Sequence, residues 1–167
     1  MPVRRNGSVS SNVRPHKNQS RSPSMEPSAF FLSLKLYLDA FVEHHPARRL
    51  DLLEQSLTSD AEVWGPKRVF TGYGEISEKI EVCHKNWPNC NLVLASGITC
   101  FNNAGHFAQS IVSADGSVLA SGHSVVELAQ DGRISRVLAF WGSQNPLPES
   151  WPAHHSAQAL RGGPSAA

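Results

Sequence analysis

No run in this 167-residue chain approaches the roughly 18 consecutive apolar residues that a membrane-spanning helix needs. The start also lacks the short apolar core of a secretory signal. Cysteine is scarce. Cys83, Cys90 and Cys100 are odd in number, show no CxxC spacing and have no matching His pair. That excludes a disulfide framework, argues against a zinc site and fits reduced thiols in a cytoplasmic protein. Acid is missing from residues 1–24, which hold Arg4, Arg5, Arg14, Lys17 and Arg21 for a charge of +5. The remaining residues carry ten basic against fourteen acidic groups, a net −4, so the body of the chain offers no basic surface for nucleic acid. No Ser-His-Asp order, phosphate loop, HExxH pattern or internal repeat is present. No metal or nucleotide cofactor is implied.

The ends and the middle differ in composition. Residues 1–28 form a Ser-, Asn-, Arg- and Pro-rich segment with almost no apolar content, too little to repay the entropy of ordering, and are expected to be disordered. That segment is a nonspecific basic tail, a targeting segment, or an over-extended start, since Met25 lies just before the first structured stretch. Residues 146–167, with four prolines and Gly162-Gly163, are expected to form a loose tail. The length between, residues 29–145, suits one domain.

Within that domain the elements are legible. Ser28 stands where an N-cap would, before a helical stripe of Phe30, Leu34, Leu38, Phe41 and Val42. Pro46 opens a second helix with Leu50, Leu53, Gln55 and Leu57 along its inner side. Residues 61–65 read as a short strand stopped by Pro66. A turn at Thr71-Gly72-Tyr73-Gly74 leads into a third helix through Ile76, Ile80 and Cys83, broken by Trp87-Pro88-Asn89. Four strands follow at 91–101, 106–113, 118–129 and 133–141. Asn102-Asn103, Asp115-Gly116 and Asp131-Gly132 separate them, the last two being strong hairpin signals. Helices first and an antiparallel meander after them spell α+β. The strands carry apolar neighbours on both faces, as at Ile111-Val112 and Val125-Val126, which predicts a homodimer burying the outer face of the sheet.

His123 is the only titratable side chain between Val118 and Val126. It is either a core histidine satisfied by a neighbouring strand or the proton-moving part of a pocket. His106 begins the adjacent strand and either turns toward the same cavity or sits at the strand's exposed end. Tyr37 interrupts an apolar helix face and either donates its phenol to a ligand or turns it to water. Trp64, Trp87 and Trp141 read as cavity walls. His44 and His45 stand at a helix end, where a cation suits the dipole. Lys67-Arg68 reads as solvated surface, Cys100 as a small packed side chain, and His154-His155 as part of the tail.

The order YLDAFVEHHPARRLDLLEQSL, SDAEVWGP, TGYGEI, NWPN and SGHSVVELAQDGRI with its AFWG ending resembles the nuclear transport factor 2-like superfamily, in particular its SnoaL-like branch, over about residues 29–142. The resemblance implies three helices packed on a strongly curved, mostly antiparallel sheet, forming a cone with an apolar pocket. It also implies homodimers and chemistry that needs no cofactor. Set beside ketosteroid isomerase, Tyr37 falls on the phenol that donates to the substrate oxyanion. Gly65 falls on the carboxylate base, His123 on a neutral aspartic acid, and Trp141 on a pocket aromatic. The base is therefore missing. The Asp–Arg–Asp arrangement of limonene epoxide hydrolase has no counterpart, and scytalone dehydratase, with histidines and a tyrosine in its cone, is nearer in residue type. The expected function is an acid–base enzyme of isomerase, dehydratase or cyclase type acting on a small hydrophobic oxygenated molecule. On that reading His123 and Tyr37 are catalytic, and Trp64, Trp87, His106 and Trp141 bind ligand. The alternative is a non-catalytic binding or dimerisation domain.

Overall fold

The structure, a computed structural model, describes residues 27–146, 148–150 and 152. Most of the basic segment and most of the tail, including His154-His155, lie outside the described residues. Three helices are present: α1 (Pro27–Val42), α2 (Pro46–Ser56) and α3 (Gly72–Asn86). Strands β1 (Leu57–Trp64) and β2 (Val69–Thr71) lie between α2 and α3. β3 (Asn91–Leu94), β4 (Thr99–Phe101), β5 (Ala104–Val112), β6 (Val118–Leu128) and β7 (Ile134–Trp141) follow. The sheet runs β2-β1-β7-β6-β5-β3, with β4 also on β5. Every pairing is antiparallel except β1 with β7. The α+β cone expected from the sequence is the fold observed.

Four local expectations are corrected. α1 runs over Pro27–Val42, so the boundary at 28 falls inside the helix and Ser28 lies within it rather than ahead of it. The strand expected over 91–101 breaks after Leu94. There the Ser96 hydroxyl accepts a hydrogen bond from the Ala108 N–H (2.8 Å) and so replaces a ladder bond with a side-chain one. Leu57 opens β1 rather than ending α2, and residues 69–71 pair with β1 as a strand of their own. Cys100 is exposed on β4, not packed.

The helical stripe turns its centre toward Tyr37: Phe30, Leu34, Tyr37 and Phe41 are buried, while Val42 is exposed. Phe30 lies so close to β5 that a Cβ on Gly105 would meet its ring at 2.1 Å, and only glycine leaves that room. The Ser33 hydroxyl donates to the Gly132 carbonyl (2.7 Å) and fastens α1 to the β6–β7 hairpin. Arg49, 1% exposed, ties the three helices together. It donates to the Glu43 carbonyl (3.0 Å) and Ser77 Oγ (2.9 Å) and lies 3.6 Å from Glu81. At the end of α1 it is His84 of α3, not His44 or His45, that meets the backbone, with its Nε2 2.7 Å from the Phe41 carbonyl. The β7 backbone crowds Gly122 of β6, where a Cβ would stand 2.0 Å from the Phe140 carbonyl oxygen.

Candidate functional site

Side-chain parity decides what the cone contains. Alternate strand residues face opposite sides of a sheet. On β5 and β6, Phe107 stands opposite Ser124 and Gln109 opposite Gly122, and these positions face the helices, as do Val126 and Leu128. His106, Ala108, His123, Val125 and Glu127 face the other way.

Inside the cone is a cavity of about 340 Å³, within the size range of small-molecule sites. Its walls are mainly apolar, with Phe41, Val63, Leu92, Ile111, Val137 and Trp141 among them. Polar side chains reach it from four elements: Tyr37 from α1, Lys79, Cys83 and Asn86 from α3, Gln109 from β5 and Ser124 from β6. Two buried side-chain oxygens among the described residues have no hydrogen-bond partner, Thr58 Oγ1 and Ser124 Oγ, and only Ser124 lines this cavity. An unpartnered buried hydroxyl costs about 1–3 kcal/mol, so Ser124 calls for a ligand or a water. Tyr37 is 4% exposed, and burial pushes its phenol well above the usual tyrosine value, keeping it a protonated donor. Burial, with the neighbouring Cys90, likewise pushes the Cys83 thiol up to about 12; the two sulfurs are 3.7 Å apart.

The sequence-derived residues divide between the two faces. Tyr37 and Trp87 line the cone, and Trp141 lies at its margin, lining both the cone cavity and an outer hollow. Trp64, His106 and His123 do not line the cone; they line the outer hollow, a region of about 870 Å³ on the far side of the sheet. There the two imidazoles stack with ring centroids 5.4 Å apart and planes 3° from parallel. Trp64 donates its indole N–H to Glu62 (2.9 Å). The placement of His123 within the cone is therefore corrected by one residue: Ser124 points in and His123 points out. Gly65, set against the family's base, lies past the end of β1 in a turn closed by its N–H on the Arg68 carbonyl (3.0 Å).

A sequence signal for this parity exists. Glu127 is a carboxylate on β6 and belongs on the side with access to water and cations, where Arg136 meets it at 3.3 Å. Counting back by twos from Glu127 puts Val125 and His123 on that same outer face. The residues missed by sequence reasoning are Ser124, Gln109, Lys79 and Cys83. The first two follow from the Glu127 count across the β5–β6 register, whereas Lys79 carries no comparable signal.

No family model matches the chain, and no curated protein matches it in sequence. Solved structures do match. A candidate isomerase of the SnoaL-like family from Agrobacterium tumefaciens is 28% identical at a TM-score of 0.63, over 70% of this chain and 99% of that chain. A candidate SnoaL-like polyketide cyclase from Jannaschia sp. CCS1 is 15% identical at 0.57, over 74% of this chain and 91% of that one. A protein of cystatin-like fold from Methylobium petroleophilum PM1 is 15% identical at 0.60, over 87% and 97%. The last two speak for the fold alone. The fold is the nuclear transport factor 2-like cone, and the likeness runs to its SnoaL-like branch, as the sequence order implied. No helix among the described residues is long and apolar enough to cross a membrane.

Proposed function

We propose that this protein takes a small, largely apolar, oxygen-bearing molecule into the cone and polarises its oxygen with Tyr37 and Ser124. The observation that carries this is the fully buried, unpartnered Ser124 hydroxyl in an apolar cavity that also receives the Tyr37 phenol. Two such donors aimed at a ligand carbonyl stabilise the charge that grows on its oxygen during enolisation, the step that isomerase and cyclase chemistry share. The SnoaL-like isomerase and cyclase candidates among the structural neighbours support that reaction class. A binding role without turnover is the second reading, favoured by a cavity lining that includes no carboxylate and no imidazole. We also propose a homodimer that covers the outer face, supported by the exposure of Phe140 (62%) and Trp64 (44%) there. Three free thiols support the cytoplasm as its compartment.

The site is tested by displacement of N-phenyl-1-naphthylamine fluorescence with 2-acetylnaphthalene and 2-ethylnaphthalene, which differ only in the carbonyl. The ketone should bind roughly threefold to tenfold tighter, the worth of one good hydrogen bond. Tyr37→Phe combined with Ser124→Ala should erase that preference and leave 2-ethylnaphthalene unchanged, while His123→Ala changes neither. Equal affinity of the wild type for both compounds would remove Tyr37 and Ser124 as oxygen donors. Failure of every naphthalene to enter would end the reading of the cone as the site.

A further inference from the structure

We propose that Lys79 makes the cone cavity selective for ligands that carry an anionic oxygen, so that the apolar molecule it holds is a carboxylic acid or an acid-like enol. The proposal rests on the reading of the cone as the ligand site and adds the charge of the ligand to it.

Lys79, Cys83 and Asn86 follow one another along a single side of α3, and all three line the cavity. The carboxylates near Lys79 are engaged elsewhere. Glu75 accepts from the Thr71 N–H (2.9 Å), and Glu81 pairs with Lys85 (2.7 Å) and stands near Arg49 (3.6 Å). Glu78 is exposed. Among the described residues no carboxylate lies within 4.0 Å of the Lys79 ammonium. The charge nearest to balance is the face of Phe70, with Nζ 5.9 Å from the ring centroid, and the Arg68 guanidinium lies 4.2 Å from that same ring. An aromatic face offers partial compensation only.

The acidic groups that reach the cavity do not supply a negative charge at neutral pH. Burial holds the Tyr37 phenol and the Cys83 thiol protonated. The cavity thus has one cationic group and no anionic one, in walls that are otherwise apolar. Burial also pulls the Lys79 ammonium below its ordinary value, the expected response of a desolvated cation without a partner. A ligand carboxylate or enolate restores the missing charge and accepts from the amine, while Ser124 and Tyr37 remain free to donate to a second oxygen.

The experiment compares decanoate with decan-1-ol as displacers of N-phenyl-1-naphthylamine at pH 7. The two chains have equal length, and only one is anionic. Decanoate should displace the probe at a concentration at least tenfold lower than decanol. Lys79→Met and Lys79→Gln should abolish that preference and leave decanol unchanged, whereas Arg68→Gln, on the exposed turn, should retain it. In the wild type the preference should fade as pH rises and the amine loses its proton, a readout that requires no variant. Decanol and decanoate displacing equally in the wild type, or an undiminished preference in a folded Lys79 variant, would overturn the proposal while leaving the cavity reading intact. If decanol itself does not displace the probe, the cavity reading falls and this inference with it.

Discussion

The two faces of one sheet give polar residues opposite meanings. On the outer face His106 and His123 stack in the open, and Arg136 bridges Glu62 (3.4 Å) and Glu127 (3.3 Å) across three strands. Water reaches all of these groups, so their presence costs little and discloses little. On the inner face Phe107, Val126, Leu128, Ile134 and Val137 are buried among helix side chains. A polar group in those surroundings must be matched or stay costly, and among the described residues neither the Ser124 hydroxyl nor, across the cavity on α3, the Lys79 ammonium has a hydrogen-bonding or carboxylate partner. The imidazole, chemically the more versatile group, is thus the less informative one here. The unsatisfied groups one position away mark where a ligand belongs.

The largest effect that separates the faces comes from placing the same charge on neighbouring residues. Val126 is fully buried and faces the cone. Val126→Asp leaves an unpaired carboxylate there at a cost of several kcal/mol, a large share of a typical stability of about 5–15 kcal/mol. The variant should be recovered unfolded or not at all by circular dichroism. Val125→Asp, on the outer face, should keep the wild-type spectrum. If a second copy covers that face, this variant should sediment as an 18.2 kDa monomer while the wild type sediments as a dimer. Equal damage from both substitutions would refute the assignment of faces, and a wild type that is itself monomeric at micromolar concentration would refute the dimer.

A smaller effect is confined to the inner face and appears only at alkaline pH. Burial raises the folded-state value of the Tyr37 phenol above the usual tyrosine value near 10. The folded protein therefore holds a proton that the unfolded chain releases. The stability linked to this proton is fully present below about pH 10 and is lost as pH rises toward the folded value. The stability of the wild type relative to Tyr37→Phe should fall by up to about 1.4 kcal/mol per pH unit above pH 10. Taking the difference between the two proteins cancels the parallel contribution of Cys83. Curves that stay parallel in urea titrations up to pH 11 would mean that the phenol reaches solvent in the folded state.

Fold and site were not equally legible in the sequence. Asp115-Gly116 and Asp131-Gly132 fixed two hairpins, because glycine enters the left-handed region freely; Gly116 and Gly132 have φ of +85° and +84°. Pro46 opened α2, and Tyr37 fell on the helix face that reaches the cone. The site went astray at β6. Val125 and Val126 are equally apolar, so hydropathy does not say which faces the core, and a one-residue slip exchanges every side chain between faces. The register shift between Glu127 and Leu128 compounds this, since a count started from β7 crosses an irregular pairing. Arg49 and Lys79 were hidden for another reason. Both are cations on helices rich in charge, where solvated surface is the ordinary outcome, and only tertiary packing buries Arg49 and brings the half-buried Lys79 to the cavity. The approach of Cys83 to Cys90 depends on the turn after α3 and has no signature in spacing.

The smallest expected effect compares the adjacent residues 123 and 124. His123 is exposed, and its contact is a stacked imidazole on the outer face. His123→Ala should therefore change stability by no more than about 0.5 kcal/mol, the usual range for a surface substitution. Ser124→Ala removes a hydroxyl that is buried without a partner and leaves a methyl in apolar surroundings. Losing an unmatched polar group relieves its desolvation, so this variant should be as stable as the wild type or more stable by about 1 kcal/mol. Both changes are small, but their consequences for binding should run the other way: Ser124→Ala weakens an oxygenated ligand and His123→Ala does not. A loss of 2 kcal/mol or more on removing the Ser124 hydroxyl would show that it is already matched, by a buried water held in the folded protein. In that case its role is to satisfy the core, and Tyr37 is left as the donor to the ligand.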